Sequence, residues 1–396
     1  MPLRRLGRSA REAWEVPRDL LLRRYPPFVT GGDLAPGDLP VFVFHGAEPV
    51  SFSRKLAHLA DNGYATLSAD EYLAVLRGRR PAPPRAVVLT FDDGRGSLWS
   101  VASPLLRRHG MKAVVFLVPA RVPTRPGPLP PTLEDVEAGR AAASAVLGRE
   151  EGEGALLSWG EVEALARTGL VDFQSHTKRH ARVHTAPQLA GFVTPASRRG
   201  YDAFDQPLLW DGERDLVGEE APLGAPLFRS APRTSEEARF YEDPEVRAAC
   251  VAEVAASGGE GFFLRSDWEA RLRRLFRRTR VHGRVETPAE RAEAIRSELA
   301  DSRRLIEERT GHPVVHLCYP WHEAGPTARR LAAEVGYETA FCGKVPGVPI
   351  TRPGGDPRSI ARIGEDYVEL LPGRGRSTLA EVLRRKWARR FEGRVL

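Results

Sequence analysis

The stretch that decides the fold runs from Ala86 to Gly94 and reads AVVLTFDDG. Its first half is a continuous apolar and β-branched run, with two prolines before it and a glycine behind it, which is typical of a fully buried strand. Asp92 and Asp93 therefore follow at the carboxyl end of a strand, where α/β sheets and barrels place their active sites. Consecutive side chains on an extended backbone point in different directions, so one carboxylate can bind a metal while the other faces a water molecule.

A second polar pair follows a second predicted strand. Residues 171–174 form a short strand-like run, and His176 and His180 lie just beyond it. Neutral imidazole is a good zinc ligand, and paired histidines are usually three to five residues apart. Asp93, His176 and His180 would supply one oxygen and two nitrogens and leave a fourth position for water, as in catalytic zinc sites. Water on zinc has a pKa near neutrality, and Asp92 could remove its proton.

Each of the two patterns also has a plainer interpretation. Asp-Asp-Gly after a strand is a common turn, because these residues favour turns for local reasons. A His-x-x-x-His spacing also occurs by coincidence in many proteins. The two patterns gain weight together, since each follows a predicted strand.

Strand-like and helix-like segments alternate along most of the chain, which indicates a parallel α/β sheet or barrel. Strands are predicted at 41–45, 86–91, 112–118, 171–175, 314–319, 338–342 and 360–364. Helices are predicted at 52–62, 99–109, 159–168, 244–256, 268–278, 288–309 and 326–335.

The same pattern divides the chain into a barrel with additions. We predict a peripheral N-terminal extension over residues 1–36, a barrel over 37–372 and a basic amphipathic helix over 373–396. The barrel is interrupted by insertions at about 120–150 and 185–290. Long excursions of this kind are usually lids or added subdomains. The second one leaves directly after the histidine pair, so we expect it to overhang the site and to shape substrate choice.

Two motifs resemble those of a known family. Residues 90–94 (TFDDG) and 176–180 (HTKRH) are similar to the first two motifs of the NodB-like polysaccharide deacetylases, also called family four carbohydrate esterases. The resemblance covers about residues 40–185 and 295–365. It implies a distorted, incomplete (β/α) barrel with a large insertion after the histidine motif.

The resemblance also implies a reaction and the residues that perform it. Asp93, His176 and His180 would hold a divalent metal, with Zn²⁺ expected first and Co²⁺, Ni²⁺ or Fe²⁺ as alternatives. Asp92 would be the general base. The reaction would be the removal of an acetyl group from an N-acetylated sugar, by attack of metal-bound water on the amide carbonyl.

The third motif departs from the family pattern. The family usually has an arginine before a Pro-Pro-Tyr-like turn, whereas residues 317–321 read LCYPW, with Cys318 in the arginine's place. We interpret the chain as a variant branch with a Tyr-Pro third motif, in which the group that orients the base is not identified. Tyr319 and Trp321 are predicted walls of a sugar subsite, because aromatic faces stack on sugar rings. For Trp321, packing in the core is the alternative.

The late Leu-x-His motif, which supplies the family's general acid, has no match, and no histidine follows His322. His322 is the predicted acid because it follows Tyr-Pro-Trp at a strand end, and imidazole can protonate a leaving amine near neutral pH. A surface or supporting role is its alternative. His316, inside a strand-like run, is expected to be structural. His45, at the end of the first strand, is a predicted substrate-binding residue, with a buried structural histidine as the alternative.

Composition restricts the class of protein further. The chain has 396 residues, of which 42% are hydrophobic and 28% charged, enough for one large domain with additions or for two domains. Three scattered cysteines exclude a disulfide framework. The start of the sequence lacks an apolar signal core, and no apolar run is long enough to span a bilayer. We therefore expect a cytoplasmic protein, or one peripheral at the inner face of the membrane, that acts on a saccharide precursor.

The net charge of +7 is concentrated at the two ends. Residues 373–396 carry eight basic residues against two acidic ones, and residues 1–24 carry seven against three. This distribution does not indicate nucleic-acid binding. Leu379, Leu383, Trp387 and Phe391 recur every four residues among these basic residues. Such a helix either rests on an anionic membrane or docks on the barrel, and docking is the commoner outcome.

The leading functional prediction is a metal-dependent carbohydrate deacetylase that cleaves a carbon–nitrogen (amide) bond of an acetylated saccharide or glycoside. One alternative is hydrolysis of another small acyl bond: an O-acetyl ester, a formyl group or a cyclic amide. A further alternative is a catalytically degenerate barrel that binds glycan without turnover.

Overall fold

The computed structural model describes residues 18–391, with gaps at 20, 21, 23, 151, 200, 201, 280 and 346. The strands are β1 (Val41–Phe44), β2 (Ala65–Thr66), β3 (Ala86–Asp93), β4 (Ala113–Leu117), β5 (Val171–Ser175), β6 (Arg182–Phe192), β7 (Leu209–Trp210), β8 (Asp215–Leu216), β9 (Pro226–Pro232), β10 (Phe240–Glu242), β11 (Gly283–Val285), β12 (His316–Cys318), β13 (Thr339–Phe341) and β14 (Ile363–Gly364). The predicted strand at 171–175 has the predicted bounds, and the others differ by a few residues.

The α-helices are α1 (Pro49–Asp61), α2 (Ala69–Leu76), α3 (Ser103–His109), α4 (Leu133–Glu137), α5 (Ala143–Leu147), α6 (Trp159–Ala166), α7 (Asp202–Asp205), α8 (Pro244–Ala256), α9 (Trp268–Arg278), α10 (Pro288–Thr310), α11 (Pro326–Val335) and α12 (Leu379–Phe391). A π-helical turn, Leu98–Ala102, precedes α3. The 3₁₀ helices include Pro320–His322 and Glu365–Leu370. Among the described helices, none has the length and apolar character needed to cross a bilayer.

The central sheet is a curled, incomplete barrel of parallel strands. Its order is β13-β12-β5-β4-β3-β1-β14, and β2 pairs with β3 beside this path. The two edges of the sheet meet through a single bridge between Phe341 of β13 and Ile360, just before β14. The seam between β5 and β12 is also thin, with Leu317 opposite Ser175. The expectation of a distorted, incomplete (β/α) barrel is therefore confirmed.

Alternate side chains of β3 enter two different cores, as a strand buried on both faces requires. Val87, Leu89 and Phe91 pack toward the surrounding helices. Val88 packs inside the barrel with residues of β1, β4, β12, β13 and α2. Asp92 has the same parity as Val88, so its carboxylate belongs at the upper end of the barrel interior.

The second predicted insertion has hydrophobic cores of its own. β6 and β9 form an irregular antiparallel hairpin, and β10 pairs with β11. One of its cores contains Phe192, Cys250, Val254, Phe262 and Leu272. The insertion is thus built as a folded unit that begins directly after the histidine pair.

The two ends of the described chain contact the barrel. Phe28 and Val29, from the predicted N-terminal extension, are fully buried in the main core. Val382 of α12 is buried there too, while Trp387 is 41% exposed. Residues 1–17 and the Phe391 side chain lie outside the described residues. The domain limits, a cytoplasmic location and contact with a membrane stay predictions.

Candidate metal centre and active site

Asp93, His176 and His180 come together at one end of the sheet. The Nε2 atoms of His176 and His180 lie 3.6 and 3.8 Å from the Oδ1 atom of Asp93. One ligand atom from each of the three residues lies within 4.8 Å of the other two, and all three side chains are buried. The structure therefore brings together the three ligands predicted from the sequence.

Backbone strain is concentrated at this place. Among the described residues, six that are not glycine have a positive φ, and five of them lie here: Asp93, Thr177, His180, Trp321 and His322. Such conformations cost free energy and persist only where the surroundings impose them, which is common at functional sites. The ends of β3 and β5 and the loop after β12 are thus bent to direct these side chains toward one point.

A hydrogen bond fixes the orientation of His176. Its Nδ1–H donates to the backbone oxygen of Cys318 over 2.8 Å, which leaves the Nε2 lone pair directed toward Asp93. Metal-binding histidines are usually oriented in this way. Burial lowers the pKa of both His176 and His180, so the two imidazoles are neutral and available as ligands.

The electrostatics of Asp93 also fit a cation. Burial and the neighbouring charge of Asp92 raise the pKa of Asp93 to about 8. The ionised carboxylate is therefore costly at this position unless a positive charge comes to it. Two neutral imidazoles and one such carboxylate form a donor set suited to zinc or a similar divalent ion, so these residues fit a metal site.

Arg362 is the functional residue that the sequence analysis missed. Its Nη1 and Nη2 atoms donate to Oδ1 and Oδ2 of Asp92 over 2.7 and 2.8 Å, and Nη2 also contacts the Cys318 sulfur at 2.9 Å. Burial raises the pKa of Asp92, but the Arg362 guanidinium and the nearby imidazoles outweigh burial and hold it well below its usual range. Arg362 therefore keeps Asp92 ionised and oriented. The available signal was an arginine inside the otherwise apolar predicted strand 360–364.

His322 and His45 lie beside the Asp92–Arg362 pair. Both residues are open to solvent at the surface, and His322 Nδ1 is 3.5 Å from Arg362 Nη2. Partial removal from water and the positive charge of Arg362 lower the pKa of His322 to about 3. Similar surroundings lower the pKa of His45 to about 4, despite the charge of Asp92. Both rings are thus neutral near pH 7, and their roles as acid and substrate-binding residue stay predictions.

The two predicted sugar-binding aromatic residues lie in different surroundings. Tyr319 is only 2% exposed and packs in the main core, so its ring is not presented at an open surface. Trp321 is half-buried, and its ring lies against the imidazole of His180, with the centroids 4.1 Å apart. Phe204 of the insertion contacts the same imidazole from α7, which the sequence analysis did not anticipate because no local motif marks it.

Comparison with known proteins agrees with these motifs. Residues 79–194 match the family model described as polysaccharide deacetylase, and this region contains Asp92, Asp93, His176 and His180. The resemblance to the NodB-like polysaccharide deacetylases is thereby confirmed. The third motif lies outside the matched residues, so its interpretation as a Tyr-Pro variant stays a prediction.

Individual relatives cover parts of the chain. The chain is 31% identical over 91 residues to YxkH of Bacillus subtilis, whose name assigns it to the polysaccharide deacetylases. The matched region covers 21% of this chain and 33% of YxkH. The chain is also 31% identical over 134 residues to the poly-β-1,6-N-acetyl-D-glucosamine N-deacetylase of Escherichia coli K12. That match covers 34% of this chain and 18% of the relative. The matches thus span a third or less of these relatives' lengths. The solved structure of a de-N-acetylase from Aggregatibacter actinomycetemcomitans is 17% identical in sequence, with a TM-score of 0.49. The alignment covers 82% of this chain and 94% of that structure.

Proposed function

We propose that this protein is a metal-dependent carbohydrate deacetylase that removes the acetyl group from an N-acetylated sugar. One observation carries the proposal: a buried Asp-His-His donor set lies beside a second carboxylate that an arginine keeps ionised. The donor set and the second carboxylate both lie inside residues 79–194, which match the polysaccharide deacetylase family, and this position supports the proposal. The chemistry of the donor set favours Zn²⁺ first.

Asp93, His176 and His180 would hold the metal. A divalent ion bound there would polarise the amide carbonyl and make a water molecule more acidic. The neutral state of both imidazoles and the high pKa of Asp93 in the free protein fit this role, because a bound cation would favour the ionised carboxylate.

Asp92 would accept the proton of the attacking water. Each of its oxygens accepts one hydrogen bond from Arg362, and a carboxylate oxygen has a further lone pair for a second partner. The water oxygen then bonds to the acyl carbon, the carbon–nitrogen bond breaks, and acetate and an amine are the products. We assign delivery of this proton to the leaving nitrogen to His322, which adjoins Arg362; because its imidazole is neutral near pH 7, it would first receive the proton that Asp92 has taken from the water.

One relative supports the proposed substrate class. The Escherichia coli protein is named for N-deacetylation of poly-β-1,6-N-acetyl-D-glucosamine. We infer that this protein also acts on a saccharide or glycoside that contains N-acetylglucosamine. His45 and Trp321, both partly open to solvent beside the donor set, would contact the sugar.

Metal content and acetate release test the proposal together. The purified protein should contain close to one divalent ion per chain and release acetate from N-acetylglucosamine oligosaccharides, and a chelator should abolish the release. Asp92→Asn protein provides the matched control, because it should retain the metal without turnover.

The other outcomes identify the rival functions. The protein could bind metal and yet release acetate only from esters, release formate, or open a cyclic amide. Any of these results would identify another acyl hydrolase and refute the N-deacetylase proposal. Saccharide binding without turnover under any divalent metal would indicate a degenerate barrel.

A further inference from the structure

Besides the imidazole of His176, the imidazole of His180 contacts two aromatic rings, and a guanidinium lies over each of these two. The Phe204 ring is 5.6 Å from the imidazole, and the Trp321 ring is 4.1 Å from it, centroid to centroid. The Cζ atom of Arg121 is 5.2 Å from the Phe204 ring, and the Cζ atom of Arg182 is 4.9 Å from the Trp321 ring. We call Arg121, Arg182, Phe204 and Trp321 the His180 cluster.

Both guanidiniums are held in place by further hydrogen bonds. Arg182 donates from Nη2 to the backbone oxygen of Ser230 over 2.8 Å and from Nε to the hydroxyl of the same residue over 3.2 Å. Arg121 donates from Nη2 to the backbone oxygen of Ala203 over 3.1 Å. Cations fixed over aromatic faces are attracted to them, which stabilises the positions of the rings.

The two predicted histidine ligands are oriented by different means. His176 has the hydrogen bond from Nδ1 to the Cys318 backbone. The Nδ1 atom of His180 is buried and has no hydrogen-bond partner among the described residues. A metal-binding histidine normally uses that nitrogen to fix its ring, so His180 must be oriented in another way. The aromatic contacts are what the structure provides around this ring.

The backbone of His180 makes such support necessary. Its φ of 53° lies in the left-handed region, where a residue other than glycine is strained. A strained residue with no hydrogen bond on its ring would relax unless packing opposed it. Trp321, itself at φ 51°, supplies that packing from the 3₁₀ turn after β12, and Phe204 supplies it from the insertion.

We propose that Phe204 and Trp321, with Arg182 and Arg121 behind them, are positioning residues that set the metal affinity of the site by holding His180. The inference rests on the proposed function in one respect, that Asp93, His176 and His180 bind a divalent metal. It makes the insertion part of the metal centre, since Phe204 comes from α7 within it.

The test measures the affinity for Zn²⁺ by competition with a chromophoric chelator, together with the visible spectrum of the Co²⁺-loaded protein. Trp321→Ala and Phe204→Ala should each bind Zn²⁺ about 10- to 100-fold more weakly, the usual loss when a supporting residue of a metal ligand is removed. Trp321→Phe should restore most of the affinity. Arg182→Gln should weaken binding about 2- to 30-fold, as expected for loss of one cation–π contact.

Arg284→Gln is the matched control. The Arg284 guanidinium lies 4.4 Å from the Tyr241 ring in the β10–β11 pair, a contact of the same kind that does not involve His180. This variant should bind Zn²⁺ as the wild type does. Circular dichroism and melting curves of the metal-free proteins identify any variant that fails to fold, and Arg182→Gln decides the question if the alanine variants do not fold.

Folded Trp321→Ala and Phe204→Ala proteins with wild-type Zn²⁺ affinity and an unchanged Co²⁺ spectrum would overturn the inference. Wild-type protein that binds metal but releases no acetate would refute only the proposed reaction, and the comparison of variants would still decide the role of the cluster. Wild-type protein that binds no metal would refute both.

Discussion

Replacing Arg362 with glutamine removes the guanidinium that contacts both carboxylate oxygens of Asp92, at 2.7 and 2.8 Å. Each of the two residues is only 2% exposed, so the substitution leaves a buried carboxylate without its counter-ion. The pKa of Asp92, which Arg362 holds well below its usual range against the effect of burial, should rise. Both stability and catalysis should therefore suffer from this single change.

Breaking a buried ion pair by removing one partner costs about 3–5 kcal/mol of unfolding free energy, because the remaining charge is left without compensation. Denaturant unfolding of the metal-free protein measures this loss. The double variant Asp92→Asn/Arg362→Gln should recover part of it, with a coupling energy of about 2–3 kcal/mol in the double-mutant cycle. Turnover of Arg362→Gln should fall by about 10²- to 10⁴-fold, the usual contribution of a positioned base, while the metal content stays near that of the wild type.

Arg304→Gln is the control for this experiment. Arg304 pairs with Glu308 on the exposed face of α10, where water screens the charges, so its loss should change the stability little. An Arg362→Gln protein with wild-type stability and wild-type turnover would refute the assignment of Arg362 as the counter-ion that orients the base.

Three other predictions concern the end of β3 and the glycine that follows it. Asp93→Ala should lose the bound metal, whereas Asp92→Asn should keep it and lose turnover; a fully active Asp92→Asn enzyme would contradict the assignment of the base. Since the pKa of Asp93 is about 8 without metal, that group makes the metal-free fold less stable as pH rises from about 4 to about 8. Below pH 8, metal binding should release about one proton, and the metal affinity should rise about tenfold per pH unit. Calorimetry at pH 6.5 in two buffers of different ionisation enthalpy measures the proton release. Metal binding without proton release would contradict the raised pKa of Asp93. Gly94→Ala should destabilise the fold by about 1–3 kcal/mol. The reason is that φ at Gly94 is +78° and the added Cβ would lie 2.4 Å from a Leu117 methyl carbon. Gly63→Ala is the control in the same unfolding experiments and should cost less stability, because Gly63 has φ +68° but open space around it.

The grouping of Asp93, His176 and His180 could be predicted from the sequence because the signals of these residues are local. The apolar run before Asp92 and Asp93 specifies a buried strand, and a strand that ends in polar residues presents them at one edge of the sheet. The same holds for His176 and His180 after β5. Helix α11 and strand β5 were predicted with their observed bounds for a similar reason, since hydrophobic periodicity is a property of neighbouring residues.

The contacts that complete the site could not be predicted in this way. Arg362 is 270 residues from Asp92 in the sequence, and no local pattern states that the two meet. Tyr319 belongs to a recognisable motif, but the direction of its ring depends on how β12 packs, which places it in the core. Phe204 reaches His180 only through the path of the insertion. Local sequence thus identifies the candidate ligands, whereas tertiary packing determines which residues support them.

The closure of the sheet has a consequence for the way the protein is made. Strand β14 is the last strand of the barrel, it pairs with β1, and Arg362 directly precedes it. A chain still emerging from the ribosome therefore completes the TFDDG segment long before the counter-ion of Asp92 exists. Until β14 docks, the Asp92 carboxylate faces the interior of an open sheet, next to Asp93 in the sequence and without this arginine, which disfavours compact folding around it. The proposed active site would thus mature only after nearly the whole barrel has been translated, so that activity would report a completed barrel.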